Sequence, residues 1–181
     1  SCGDGRILDE IRARGSRGFG IEVHAGRAAE ARAKGHSVLT ANFLDQPATA
    51  DFDAVVMNPP YSAAEYFVRQ ACSIPGRRGP VAALLRIAFL SSQSRAAWLG
   101  GCAPDVYVLP RRPDFTGGGG DSADYAWMVW PAGAARTEGR VRVIPLDACQ
   151  STPAEVAADR ERKAALRALR KAAEIQEAAH V

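Results

Sequence analysis

Three histidines and four cysteines are the soft metal-binding side chains in this 181-residue chain, and they are poorly placed for the task. His24, His36 and His180 share no ligand spacing, and Cys2, Cys72, Cys102 and Cys149 form no Cys-x-x-Cys pair. Neither a zinc site nor a disulfide framework is indicated. We expect free, partly buried thiols in a reducing, cytoplasmic setting, with no metal. Long hydrophobic runs are missing too. No apolar stretch approaches bilayer-spanning length, and no basic-then-apolar leader opens the chain, so no membrane role is expected. A strong excess of one charge is also absent: 23 basic against 20 acidic residues leave +3. That balance admits nucleic acid without arguing for it. Internal repeats are absent.

What is present is an ordinary globular composition, 47% hydrophobic, in a chain long enough for one domain with a core. The charge is uneven. Residues 1–60 carry 7 basic and 8 acidic side chains, residues 61–147 carry 10 and 7, and the tail from 148 carries 6 and 5. The mild excess after residue 60 is arginine, which suits phosphate contact. Scattered solvated charge explains it equally well.

One stretch concentrates chemistry. The apolar run Phe52-Asp53-Ala54-Val55-Val56 ends in Met57-Asn58-Pro59-Pro60-Tyr61. The run is short, β-branched and closed by two prolines, so it reads as a buried parallel strand. The prolines turn the backbone off the sheet and donate no N–H. An amide, a rigid turn and an aromatic ring then sit at the carboxyl end of a strand, where open α/β sheets bind ligands. An ordinary strand-ending turn is the bland alternative.

Asn58-Pro59-Pro60-Tyr61 after such a strand resembles the motif of class I S-adenosylmethionine-dependent methyltransferases that modify exocyclic or amide nitrogens. It looks most like the phage and bacterial N6-adenine DNA methyltransferases, including those of restriction-modification systems. The resemblance covers most of residues 1–130. It implies a Rossmann-like α/β fold, S-adenosylmethionine as cofactor, DNA as partner, and Asn58, Pro59, Pro60 and Tyr61 as the catalytic turn. Similar turns serve enzymes that methylate RNA or a protein glutamine amide, so those acceptors stay open. A remnant that only binds cofactor or a partner stays open too. A nicotinamide oxidoreductase leaves the motif unexplained.

From its start the chain runs Ser1-Cys2-Gly3-Asp4-Gly5-Arg6, a glycine-rich turn, with Ile7, Leu8 and Ile11 following at helical spacing. Gly3 and Gly5 permit positive φ and close backbone approach. No Gly-Lys-Ser/Thr follows, and Leu8 stands where a dinucleotide fingerprint needs its third glycine, so a phosphate loop is disfavoured. In the family this turn follows a strand. The expectation is therefore a sequence truncated at its N-terminus, lacking the central strand. Under the resemblance Cys2, Gly3, Asp4 and Gly5 hold the methionine part of the cofactor, with Asp4 near its amino group.

Phe19 to Val23 reads as the next strand, with Glu22 near its carboxyl end. A carboxylate there can accept from both ribose hydroxyls, as in dinucleotide folds; Val23 lies beside it. A surface carboxylate is the plainer alternative. Ala25 to Lys34 is a helix closed by Gly35, and Ser37 to Leu44 a third strand. In the adenine-methylating family a matching Asp-Phe-Leu contacts the cofactor's adenine. Here Asn42 and Phe43 take those places, Asn42 as a neutral acceptor, while Phe43 is as readily a core residue.

Ser62 and Glu65 have capping-box spacing ahead of Tyr66, Phe67, Val68 and Ala71. Val81–Leu85 is a buried strand and 91–98 a short helix closed by Gly100-Gly101. Val106–Leu109 and Tyr125–Trp130 read as an antiparallel hairpin, and Val141–Ile144 as an edge strand. The glycine-rich loop between the hairpin strands carries Arg111, Arg112 and Phe115, phosphate donors with a stacking surface; a solvated loop is the bland reading. Thr152, Pro153 and Glu155 open an alanine- and arginine-rich helix. The expected organisation is a catalytic domain over 1–147, with a mostly parallel sheet and helices on both faces, and a helical tail over 148–181.

Overall fold

The computed structural model describes residues 1–47, 52–75, 77–110, 113, 122–133, 136–145, 161 and 164. The chain forms two compact units. One comprises Ser1–Leu109 with Ala123–Val143, the other Pro110–Ser122 with Ile144–Val181. The second unit lies almost wholly outside the described residues, as do Arg111, Arg112, Phe115 and the Thr152 cap.

The first unit opens with two short helices that end in the same way. α1 (Arg6–Ala13) presents Ile7, Leu8 and Ile11 on one stripe, and Leu8 is buried. Gly15 (φ 76°) ends it: its N–H reaches the Arg12 carbonyl, and the Ser16 N–H reaches that of Ile11. α2 (Ala25–Ala33) ends at Gly35 (φ 85°), with Gly35 on Arg32 and His36 on Ala31. Both are Schellman closures, in which a left-handed glycine satisfies orphan carbonyls. β1 (Phe19–Glu22) and β2 (Ser37–Thr40) flank α2 and pair in parallel, Phe19 opposite Ser37 and Glu22 opposite Thr40.

β2 stops at Thr40, short of the expected Leu44. The reason is local: Asn42 caps a 3-10 turn over Phe43–Asp45. α3 (Ala64–Cys72) also departs from expectation. A 3-10 turn over Tyr61–Ala63 precedes it, so Ser62 lies inside that turn, and the N-cap residue Ala63 makes no side-chain bond. Glu65 instead pairs with Arg69 (2.9 Å) and Arg95 (3.8 Å).

The remaining strands are β3 (Val55–Met57), β4 (Val81–Arg86), β5 (Asp105–Val108), β6 (Tyr125–Trp130) and β7 (Val141–Val143). Their order is β3-β4-β6-β5-β7. β3 and β4 are parallel, β6 is antiparallel to both β4 and β5, and β7 lies parallel to β5. The sheet is therefore mixed, with the expected antiparallel hairpin. Its core gathers Met57, Phe67, Val68, Val81, Leu85, Met128 and Trp130. β4 has four of its first five residues buried, as a strand with neighbours on both edges should. α4 (Gln93–Gly101) runs through both glycines and brings Trp98 onto Trp130, ring centroids 5.9 Å apart.

β1–β2 and the five-stranded sheet are separate ladders. Between β1 and β3 lies a groove of about 520 Å³, lined by Leu8, Ile11, Phe19, Val56 and Phe67 among others.

Candidate active site

The Asn58 turn forms as the residue types dictate. Val55 and Met57 are held to β4, and the chain then leaves the sheet through Pro59 and Pro60. Pro60 sits at φ −60°, the angle its ring enforces, and its carbonyl accepts the Ala63 N–H. The Pro59 carbonyl accepts no hydrogen bond among the described residues. Asn58 is half-buried, and its Oδ1 accepts the Tyr61 hydroxyl at 3.2 Å. Asn58 and Pro59 thus offer two acceptor oxygens, one side-chain and one backbone, from adjacent residues of the turn.

Tyr61 is packed. Its ring lies 5.5 Å from that of buried Tyr125, tilted by 50°. The Arg86 guanidinium sits 5.1 Å from the ring centroid, and Arg86 Nε donates to the Tyr125 hydroxyl at 3.3 Å. Sequence reasoning passed over Arg86 and Tyr125. The signal was there: Arg86 is the first charge after the apolar run Val81–Leu85, at the carboxyl end of the strand next to β3.

The glycine turn meets the Asn58 turn. Ser1 Oγ donates to the Asn58 backbone carbonyl at 3.3 Å, and the Cys2 N–H to that of Ile21 at 3.0 Å. Gly3 (φ 58°) and Gly5 (φ 92°) occupy the left-handed region, where glycine is favoured. A Cβ on Gly5 would also stand 2.9 Å from the His36 ring. Burial pushes the Cys2 thiol pKa up.

Glu22 departs from the surface-carboxylate reading: it is only 3% exposed. Its Oε2 accepts the Gly3 N–H at 2.8 Å and its Oε1 the His24 N–H at 3.0 Å. The carboxylate therefore pins the glycine turn to the end of β1, through charge-assisted bonds. Each oxygen keeps a second lone-pair site. Val23 beside it is exposed.

Asp4 and Asn42 have local partners. Asp4 pairs with Arg6 (3.2 Å) and Lys34 (3.7 Å). Asn42 Oδ1 accepts the Leu44 N–H at 3.2 Å, and its Nδ2 donates to Asp45 at 3.0 Å. Phe43 stacks on Phe67 at 5.4 Å and packs against the core, as its core reading expects. Among the described residues no three His, Cys, Asp or Glu side chains cluster as metal ligands, and no helix is long and apolar enough to cross a membrane.

No protein-family model matches the chain, and no curated protein is similar enough to count as a relative. Solved structures do match. The methyltransferase subunit of a type I restriction-modification system from Streptococcus thermophilus aligns over 79% of this chain and 41% of its own, at 20% identity and a TM-score of 0.61. A putative class I S-adenosylmethionine-dependent methyltransferase from Listeria monocytogenes aligns over 90% and 61%, at 12% identity and 0.59. The 23S rRNA methyltransferase ErmE aligns over 77% and 62%, at 18% identity and 0.57. The chain spans less than two thirds of each. The likeness lies in the fold: this chain has the α/β fold of the methyltransferases.

Proposed function

We propose that the chain transfers a methyl group from S-adenosylmethionine to the exocyclic amino nitrogen of adenine in DNA. The carrying observation is the Asn58 turn: Asn58 and Pro59 follow directly on β3, with Ser1 of the glycine turn bonded to the Asn58 backbone carbonyl. An adenine amino nitrogen is a poor nucleophile, because its lone pair is delocalised into the ring. Two acceptors that receive hydrogen bonds from its two N–H groups would draw the nitrogen out of that conjugation and orient it. This is positioning plus preorganised electrostatics, and no covalent intermediate is needed.

The residues fit the cofactor. Gly3 and Gly5 leave bare backbone at the turn, and buried Glu22 holds that turn while keeping two lone-pair sites for ribose hydroxyls. S-adenosylmethionine, when bound, supplies an electrophilic sulfonium methyl. Asn42 and Phe43 would border its adenine, Phe43 through the ring face turned from Phe67. Tyr61 would stack on the target base, which has to leave the duplex. Arg86, whose guanidinium lies 5.1 Å from the Tyr61 ring centroid, would be a candidate for contact with a phosphate near that base. Arg111, Arg112 and Phe115 remain candidates for the DNA backbone on sequence grounds.

The structural likeness to an rRNA methyltransferase keeps RNA as the second reading. Nucleoside mass spectrometry decides between them, on DNA and RNA from cells devoid of their own adenine methylation that express the chain or Asn58→Ala. N6-methyladenine in DNA, with the chain and not the variant, is the expected result. Its appearance in RNA alone transfers the proposal to RNA. None in either leaves a protein amide or a remnant without activity.

A further inference from the structure

The glycine turn is held from a second side, by the closed end of α2. Gly35, at φ 85°, ends that helix, and Lys34 and His36 on either side of it both reach back to the turn and α1. The Lys34 ammonium donates to the Asp4 carbonyl at 2.7 Å. It also lies 3.7 Å from the Asp4 carboxylate and 3.5 Å from that of Asp9. The His36 side chain is only 5% exposed, and its Nε2 stands 2.8 Å from Asp9 Oδ1. Asp9, its pKa held low, is a carboxylate that only accepts, which assigns the proton to Nε2.

Asp9 belongs to the turn as much as to the helix. Its N–H reaches the Gly5 carbonyl at 2.8 Å, the opening bond of α1. Gly5 itself is backed by α2: a Cβ there would stand 2.9 Å from the His36 ring and 3.2 Å from the Ala31 Cβ. Arg12 locks the assembly, with Nη1 on the Lys34 carbonyl at 2.8 Å and Nη2 on Asp9 at 3.1 Å. Glu22 fixes Gly3 from the end of β1. Lys34 fixes Asp4, and His36 fixes Asp9 behind Gly5, from the end of α2. Two glycines in three residues give this turn wide conformational freedom when it is not held. A turn ordered in advance spares a ligand that ordering cost.

We infer that Lys34 and His36 are positioning residues for the cofactor turn. They hold Asp4 and Gly5 in the conformation that takes the methionine part of S-adenosylmethionine, and they act through the turn, not on the cofactor. The inference rests on the cofactor reading given above.

The test uses the full chain with Lys34→Met, His36→Phe, Lys34→Arg, His36→Gln and Arg32→Met. Arg32→Met is the control, because Arg32 bonds α2 to Val38 and Thr40. Affinity for S-adenosylhomocysteine is measured by calorimetry and stability by urea unfolding. Exchange of the Gly3 and Gly5 amides is followed by NMR in the cofactor-free chain. Lys34→Met and His36→Phe are expected to weaken binding by about tenfold or more, the scale of one hydrogen bond to a charged group. Both should speed exchange at the two glycines. Lys34→Arg and His36→Gln keep donors for Asp4 and Asp9, and should restore affinity to within about threefold. Arg32→Met lowers the urea midpoint and leaves affinity and glycine exchange unchanged. Affinity that falls in step with the urea midpoint in every variant, the control included, overturns the inference, because general instability then explains it. So does binding that is indifferent to Lys34 and His36. A chain that binds no S-adenosylhomocysteine at all overturns the cofactor reading, and the inference with it. If His36→Phe does not fold, Lys34→Met and Lys34→Arg carry the test, the Lys34 side chain being 38% exposed.

Discussion

The Tyr61 hydroxyl donates to Asn58 Oδ1 at 3.2 Å, so the tyrosine covers the acceptor that a substrate amino group would need. The Tyr61 hydroxyl and a substrate N–H would therefore both draw on Asn58 Oδ1, while stacking on a base would use the ring face. Asn58→Ala is expected to lower single-turnover methyl transfer by about 100-fold or more, the scale of losing one preorganised polar group. Cofactor affinity by calorimetry should stay within a few-fold. Tyr61→Phe keeps the ring and frees Oδ1, so its rate should exceed that of Tyr61→Ala by about tenfold or more. Equal rates for the two Tyr61 variants would remove the stacking role.

Glu22 makes a different kind of prediction. Its two oxygens each accept a backbone N–H, from Gly3 and His24. Glutamine offers one acceptor and one donor, so one backbone N–H must face an NH2 group. Glu22→Gln is expected to cost about 1–3 kcal/mol in urea unfolding. Cofactor binding should weaken as well, since the glycine turn loses its anchor.

Acid should weaken the fold through two surface carboxylates. The Asp9 pKa is held below its ordinary value chiefly by its hydrogen bond to His36 (2.8 Å), and that of Asp105 chiefly by the Arg140 N–H (2.8 Å). A carboxylate with a depressed folded-state pKa contributes stability above its unfolded value, near 4, and loses it as pH falls through the folded value. Both groups are solvent-screened, so each contributes about 1 kcal/mol or less. Asp9→Asn with Asp105→Asn should flatten the decline in urea midpoint below about pH 4. An unchanged slope would assign that decline to other groups.

Cys72 should be inert in the folded protein. Burial first, and then the neighbouring Cys102 thiol, push its pKa up to about 11. At pH 8 only about one molecule in a thousand carries the reactive thiolate. Iodoacetamide followed by peptide mass spectrometry is expected to leave Cys72 unmodified until urea unfolds the chain.

Much of this architecture was legible because its signals are local. Gly35 announced the end of α2, and short apolar runs marked β3 and β4. Where the sequence misled, one short-range geometry had displaced another. Asn42 prefers an Asx-type cap to continuing β2, and Pro60 sets a 3-10 turn that leaves Ser62 without a capping role. Arg86 and Tyr125 escaped notice because their meeting with Tyr61 depends on β4 pairing with β6, 39 residues away. The parallel placement of β7 beside β5 is equally non-local.

The order β3-β4-β6-β5-β7 also bears on how the chain reaches its folded state. The α1-β1-α2-β2 layer closes on itself within its first 40 residues, whereas β4 must find β6 across some forty residues of intervening chain. Loop-closure entropy favours the near contacts, so the layer bearing the glycine turn should assemble early and the Asn58 turn late. Pulse-labelled hydrogen exchange during refolding would show β1 amides protected before those of β6. During refolding, then, the half proposed to hold the cofactor precedes the half proposed to act on the acceptor.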